Sequence, residues 1–143
     1  MFYPLLKTIS PGGALVPVVK MISQEKMDRY GEVTGNGGII HIDAEYCKER
    51  YPHGKTYAHG QLMLAYMSEL MELNFGLPWF TSGVMDVKYI GAAHPGDTVV
   101  VGGEVRETNN LPDGLQVVCG CAITKQDGGK TTVGTCSVLL PVQ

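Results

Sequence analysis

The chain has 143 residues, 44% hydrophobic and 17% charged. It is long enough for one sizeable core and has the make-up of a globular protein, so a single domain over 1–143 is expected. A net charge of −3 offers no basic surface for nucleic acid or an anionic membrane, and no apolar run reaches the roughly 20 residues of a membrane-spanning helix.

Residues 1–13 are broken by Pro4, Pro11 and Gly12-Gly13 and are expected to form an extended lead-in. They lack the charged start, apolar centre and cleavage site of a secretion signal, so a cytoplasmic protein is expected. Ala14 to Ile22 has strand composition, with Pro17 pointing to an edge position or a bulge. Ser23 is a good N-cap for a helix from about Gln24 to Val33, although Lys26 denies it the partner of a capping box. Thr34-Gly35-Asn36-Gly37-Gly38 reads as a loop with unusual dihedrals. A short apolar segment with one histidine follows, Ile39 to Asp43. Asp43 is placed to cap a short helix over Ala44–Tyr51, and Pro52-His53-Gly54 reads as a turn.

Gln61 to Asn74 (QLMLAYMSELMELN) is rich in helix formers and has no internal Pro or Gly. Met63, Met67 and Met71 widen the apolar face marked by Leu62, Ala65, Tyr66, Leu70 and Leu73, as expected for a buried helix with methionines in its core. Gly76 and Pro78 supply stop signals. His59-Gly60 therefore stands at a helix N-terminus, where unpaired N–H groups favour a developing negative charge.

Beyond Pro78 the period becomes two. Met85–Tyr89, Val99–Arg106, Leu115–Thr124 and Lys130–Leu140 each alternate, as strands with one buried face do. Pro95-Gly96-Asp97, Asn109 to Gly114 and Asp127-Gly128-Gly129 read as hairpin connections of an antiparallel meander. Gly102-Gly103 reads as a strand bend, and Cys119 and Cys121 as small core side chains. A long buried helix against such a sheet is an α+β arrangement. The four cysteines lack CxxC or zinc-finger spacing, no residue set has metal-ligand spacing, and no cofactor is expected.

Of the four histidines, His53 and His94 read as structural. His41 follows a glycine-rich loop that lets a substrate approach, and an imidazole titrates where proton transfer near neutral pH is efficient. Thr34 to Asp43 (TGNGGIIHID) resembles, without gaps, the Ser/Thr-Gly-Asp-x-Asn-Pro-Ile/Leu-His-x-Asp signature of the MaoC-like, R-specific enoyl-CoA hydratases. Tyr57-Ala58-His59-Gly60 resembles that family's opening of the central helix. Val87-Lys88-Tyr89-Ile90 and Pro95-Gly96-Asp97-Thr98 resemble its strand and Pro-Gly-Asp turn. The resemblance spans about residues 14–140 and implies the hotdog fold, a helix wrapped by a curved antiparallel sheet. It also implies syn addition of water to an enoyl thioester, or the reverse. The site it implies has His41 and Asn36 at the catalytic pair, and Gly60, His59, Tyr57 and Gly35 at the oxyanion and substrate contacts. The acyl group would be carried by coenzyme A or acyl carrier protein.

The chain departs from the pattern at Asn36, where the family has its catalytic Asp, and at Gly38-Ile39 in place of Asn-Pro. An amide orients water but cannot act as a base, and loss of a general base commonly removes about 10²–10⁴-fold in rate. Three readings follow: a hydratase or dehydratase with His41 alone as acid and base, a non-catalytic acyl-thioester-binding subunit beside a homologous chain, or a thioesterase using Glu69 or Glu72. Asp43 reads as a cap or a partner of His41. Lys48, Arg50 and Lys55 are the nearest basic cluster for phosphates and equally a solvated surface. The resemblance further implies a homodimer, or a dimer with a homologous hotdog chain, with each acyl site at the interface.

Overall fold

The computed structural model describes Leu6 and residues 9–141; most of the expected lead-in, residues 1–5, 7 and 8, lies outside the described residues. Strand β1 (Val18–Met21) is followed by helices α1 (Gln24–Thr34), α2 (Ile39–Ile42), α3 (Ala44–Arg50), α4 (Gly60–Phe75) and α5 (Leu77–Ser82). Strands β2 (Val84–Tyr89), β3 (Thr98–Leu111), β4 (Gly114–Lys125) and β5 (Lys130–Pro141) complete the fold.

The expected caps are in place. Ser23 accepts from the Lys26 N–H, and Asp43 accepts from the Tyr46 N–H. The strand expected over Ala14–Ile22 is divided at Pro17, which has no N–H for a ladder. Ala14 forms an isolated bridge to Glu104, and regular pairing with β3 starts at Val18. Between them the Val16 backbone is held by a side chain: its N–H donates to Asn74 Oδ1 at 2.9 Å and its carbonyl accepts from Asn74 Nδ2 at 3.0 Å.

All the strands lie in one antiparallel sheet of order β1-β3-β4-β5-β2. The meander is thus confined to β3-β4-β5. β2 pairs with β5 and lies at the far edge from β1. Pro95-Gly96-Asp97 is therefore no hairpin. It ends a crossover and is pinned beside β1, where Gly96 N–H donates to the Ile22 carbonyl and Ile22 N–H to the Asp97 carbonyl, both at 2.8 Å. Gly96 has φ +96°, which favours glycine. The Asn109–Gly114 segment narrows to a two-residue turn, because β3 runs to Leu111 and β4 starts at Gly114.

One face of the sheet carries Val99, Val101, Val105, Val117, Cys119, Ile123, Cys136 and Val138, all buried, onto α4. Met63, Met67 and Met71 are buried in that core, each contributing on the order of 1.5–3 kcal/mol by burial. Burial pushes the Cys119 thiol up to about 12, so it stays protonated; Cys121 is also raised, first by its hydrogen bond with Cys136 and then by burial. At Gly103 a Cβ would lie 2.5 Å from the Gly120 carbonyl oxygen, so close backbone approach requires glycine there.

Helix α5 differs from the expected chain stop. Gly76 (φ +71°) turns the chain, and the next residues open a new helix with Pro78 in its first turn. Trp79 is buried there, and its indole N–H donates to Ser68 Oγ at 2.8 Å.

Candidate active site

Helix α2 carries His41 and α4 begins at Gly60; the loop between them folds the two together. The Tyr57 N–H donates to the Ile40 carbonyl at 2.9 Å. In return His41 Nδ1 lies 2.7 Å from the Tyr57 carbonyl oxygen. A carbonyl only accepts, so Nδ1 carries the proton and Nε2 presents its lone pair. The His41 backbone carbonyl accepts from Gln24 Nε2 at 2.8 Å, which ties α2 to α1.

His41 lines a cavity of about 320 Å³ together with Tyr57, Gly60, Met63, Tyr89 and Thr132. The wall is mostly apolar with a few polar groups, the usual make-up of a small-molecule site. Gly60 is the first residue of α4, and its N–H has no intrahelical partner. A Cβ there would lie 3.0–3.3 Å from the Tyr89 ring, so only glycine leaves the helix N-terminus open to the cavity.

Asn36 and His41 flank Gly38. A Cβ on Gly38 would be 3.8 Å from His41 Nε2 and 4.0 Å from Asn36 Oδ1. The Asn36 amide nitrogen donates to Gln61 Oε1 at 3.3 Å, which leaves its oxygen free to accept from a water. His59 does not line the cavity. It is fully buried, stacks on His41, and donates through Nε2–H to the Asn36 carbonyl at 2.8 Å. Burial above all, and the neighbouring His41, hold its pKa below the usual 6.5, so it is neutral at neutral pH. Its place is behind the site, joining the Asn36 loop to the start of α4. Gly35 is the left-handed C-cap of α1 (φ +71°), and neither it nor Asn36 lines the cavity.

Tyr89 and Thr132 escaped the sequence reading, since period-two alternation tells which face a residue takes and not what it meets. His53 and His94 join the edge of the site. His53 Nδ1 accepts from the Lys55 N–H, so its Nε2–H donates to Tyr57 Oη at 2.7 Å, and the His53 and His94 rings are 4.4 Å apart. Desolvation, His94 and Lys55 lower the pKa of His53. Asp43 acts as the α3 cap. Glu69 is paired with Lys20 at 2.7 Å, and neither it nor Glu72 lines the cavity. Lys48 and Arg50 pair with Glu45 and Glu49 at the surface. Among the described residues no three metal-ligating side chains converge, and no helix is long and apolar enough to cross a membrane.

A family model described as the MaoC like domain matches residues 10–125. A search of curated proteins gave no match. Among solved structures, the unliganded R-hydratase PhaJ1 from Pseudomonas aeruginosa aligns with a TM-score of 0.78 and 20% identity, over 94% of this chain and 83% of that one. The (R)-hydratase of A. caviae involved in PHA biosynthesis gives 0.79 and 16%, over 94% and 99%. The ChsH1–ChsH2 complex from Mycobacterium tuberculosis gives 0.71 and 13%, over 95% and 100%. At these identities the likeness is one of fold, and the fold is the α+β hotdog.

Proposed function

The chain belongs to the MaoC-like domain family, and from that premise we propose that it is a hydratase or dehydratase of enoyl and 3-hydroxyacyl thioesters, with His41 as acid and base. The observation that carries this reading is the His41 tautomer. Nδ1–H is committed to the Tyr57 carbonyl, which leaves Nε2 as the ring's acceptor, and His41 lines a cavity together with Gly60 at the start of α4. The Gly60 N–H, donating to the thioester oxygen, would stabilise the enolate that forms as water adds to C3. His41 Nε2 takes the proton of that water and returns it to C2 from the same side, so one imidazole serves both steps of a syn addition. Asn36 stands outside the cavity lining, but its Oδ1 lies across Gly38 from His41 Nε2 and would orient the water from there. No metal or cofactor enters this scheme.

The test is to add crotonyl-CoA and follow the conjugated-enoyl absorbance together with free thiol. Loss of absorbance without thiol, abolished in a folded His41→Ala variant, is the expected result. Thiol release would reassign the protein to thioester hydrolysis, and a wild-type rate in His41→Ala would remove His41 from the chemistry.

A second reading rests on Asn36 itself. With an amide bound to Gln61 where the family has its acid, the chain would bind the thioester as one subunit of a hetero-oligomer. The ChsH1–ChsH2 structure is a complex of two proteins with a related fold. Under either reading we propose a dimer, homologous or identical, in the cytoplasm. Strands β1 and β2 are sheet edges, and Val19, Met21, Val84, Tyr89 and Ile90 are exposed along or beside them. Robust hydration by the purified single chain would exclude the subunit reading.

A further inference from the structure

A residue that lines the His41 cavity carries a buried hydroxyl with nothing to bond. Thr132 is fully buried, its Oγ1 has no hydrogen-bond partner, and it lines the same cavity as His41 and Gly60. In the β2–β5 ladder Thr132 stands directly opposite Tyr89. Opposed residues of an antiparallel pair project to one face, with Cβ atoms about 4.5–5.5 Å apart. The Tyr89 ring in turn packs on Gly60. Thr132, Tyr89 and Gly60 thus form one continuous wall beside the start of α4. A valine would occupy this strand position as well as threonine does, without shutting an unpaired polar group away from water. A native orphan of this kind calls for an explanation; Oγ1 is closed to water as it stands, and a turn of the Thr132 side chain toward the cavity would let a ligand atom supply the missing partner.

Resting on the thioester reading above, we propose that Thr132 is a substrate-binding residue whose hydroxyl donates a hydrogen bond to the thioester carbonyl oxygen, as a second donor beside the Gly60 N–H. The proton stays on Thr132 throughout, and no bond of the residue is made or broken. The oxygen gains charge as the enolate forms, so a fixed second donor acts more strongly on the transition state than on the bound substrate. Thr132 is itself buried, and a bond made away from bulk water is stronger than one at a surface.

Thr132→Val keeps the shape and removes the hydroxyl. Its kcat for crotonyl-CoA is expected to fall about tenfold or more, with KM changed less than about threefold. Its thermal midpoint is expected at or above that of the wild type, because folding loses no hydrogen bond. Thr132→Ser, which keeps the donor, is expected to recover most of kcat. A wild-type kcat in Thr132→Val overturns the inference and leaves the thioester reading standing. So does a lowered thermal midpoint with kcat lost equally in Thr132→Ser, which would mark a packing role. If wild-type protein neither turns over crotonyl-CoA nor binds it by calorimetry, the thioester reading itself fails and takes this inference with it.

Discussion

His41 and His59 lie ring on ring, with centroids 3.9 Å apart and planes inclined by 25°. The pair divides two tasks between identical side chains. His41 reaches the cavity, while His59 is shut behind it and braces the Asn36 loop. A proton on His59 would be costly, because the ring is buried and would face its neighbour, and its pKa is accordingly lowered.

That lowering predicts an acid-sensitive fold. The unfolded chain takes up the His59 proton near 6.5, and the folded chain only at lower pH. The unfolded state therefore binds more protons in between, and stability falls as pH drops below about 6.5. His53 shifts in the same direction, but it is exposed and solvent screening leaves the slope to His59. Urea unfolding from pH 8 to pH 5 should show declining stability below that point, with a shallower decline in His59→Gln. Equal slopes in the two proteins would refute the assignment.

Asn36→Asp tests what the family acid would add. A carboxylate here would flank Gly38 beside His41 Nε2 and lose the present amide donation to Gln61. If a second base is what the site lacks, hydration of crotonyl-CoA should accelerate about 10²-fold, the low end of a general-base contribution. An unchanged rate would mean that His41 alone already carries both proton transfers.

How far the sequence reached is clearest at particular residues. The buried α4 and the caps Ser23 and Asp43 were legible, because periodicity and capping are local properties. The position of β2 was not, since pairing with β5 depends on where the 90–97 crossover lands and not on its turn residues. Helix α5 was hidden for a related reason: Gly76 and Pro78 can end one helix and also open another. At the site, the start of the buried helix pointed to Gly60, and a histidine behind a glycine-rich loop pointed to His41. Nothing in the pattern separated His59, buried behind the cavity, from a side chain facing substrate. Nor did a period-two run distinguish Thr132 from other strand threonines.

Gly60 offers a test of cavity shape. An added Cβ would press within 3.0–3.3 Å of the Tyr89 ring. Tyr89 is half exposed, so its ring can yield outward, and Gly60→Ala should cost no more than about 1–2 kcal/mol of stability. The displaced ring and the methyl would both narrow the approach to the helix N–H, and kcat/KM should fall about tenfold or more. Adding Tyr89→Leu should restore part of that loss. If the double variant is no better than Gly60→Ala alone, steric pressure from Tyr89 is not the cause.

Asn74 links the central helix to the break in the first strand, and its removal should show in stability rather than chemistry. It is fully buried, holds both backbone groups of Val16, and donates to the Leu70 carbonyl at 2.8 Å. Pro17 prevents the regular ladder from continuing through this point, so a side chain from α4 does the pairing instead. In Asn74→Leu the volume is roughly kept while the Val16 N–H and carbonyl lose their partners. Val16 is exposed, so water can replace part of the lost pairing, and a total loss of about 1–3 kcal/mol is expected in urea unfolding. Asn74→Asp should be nearly as damaging, since a carboxylate can still accept from the Val16 N–H but cannot donate to the two carbonyls. The site lies at the other end of α4, so kcat/KM of the folded fraction should stay close to wild type. A large fall in kcat/KM at full folding would show that α4 transmits the loss along its length to Gly60.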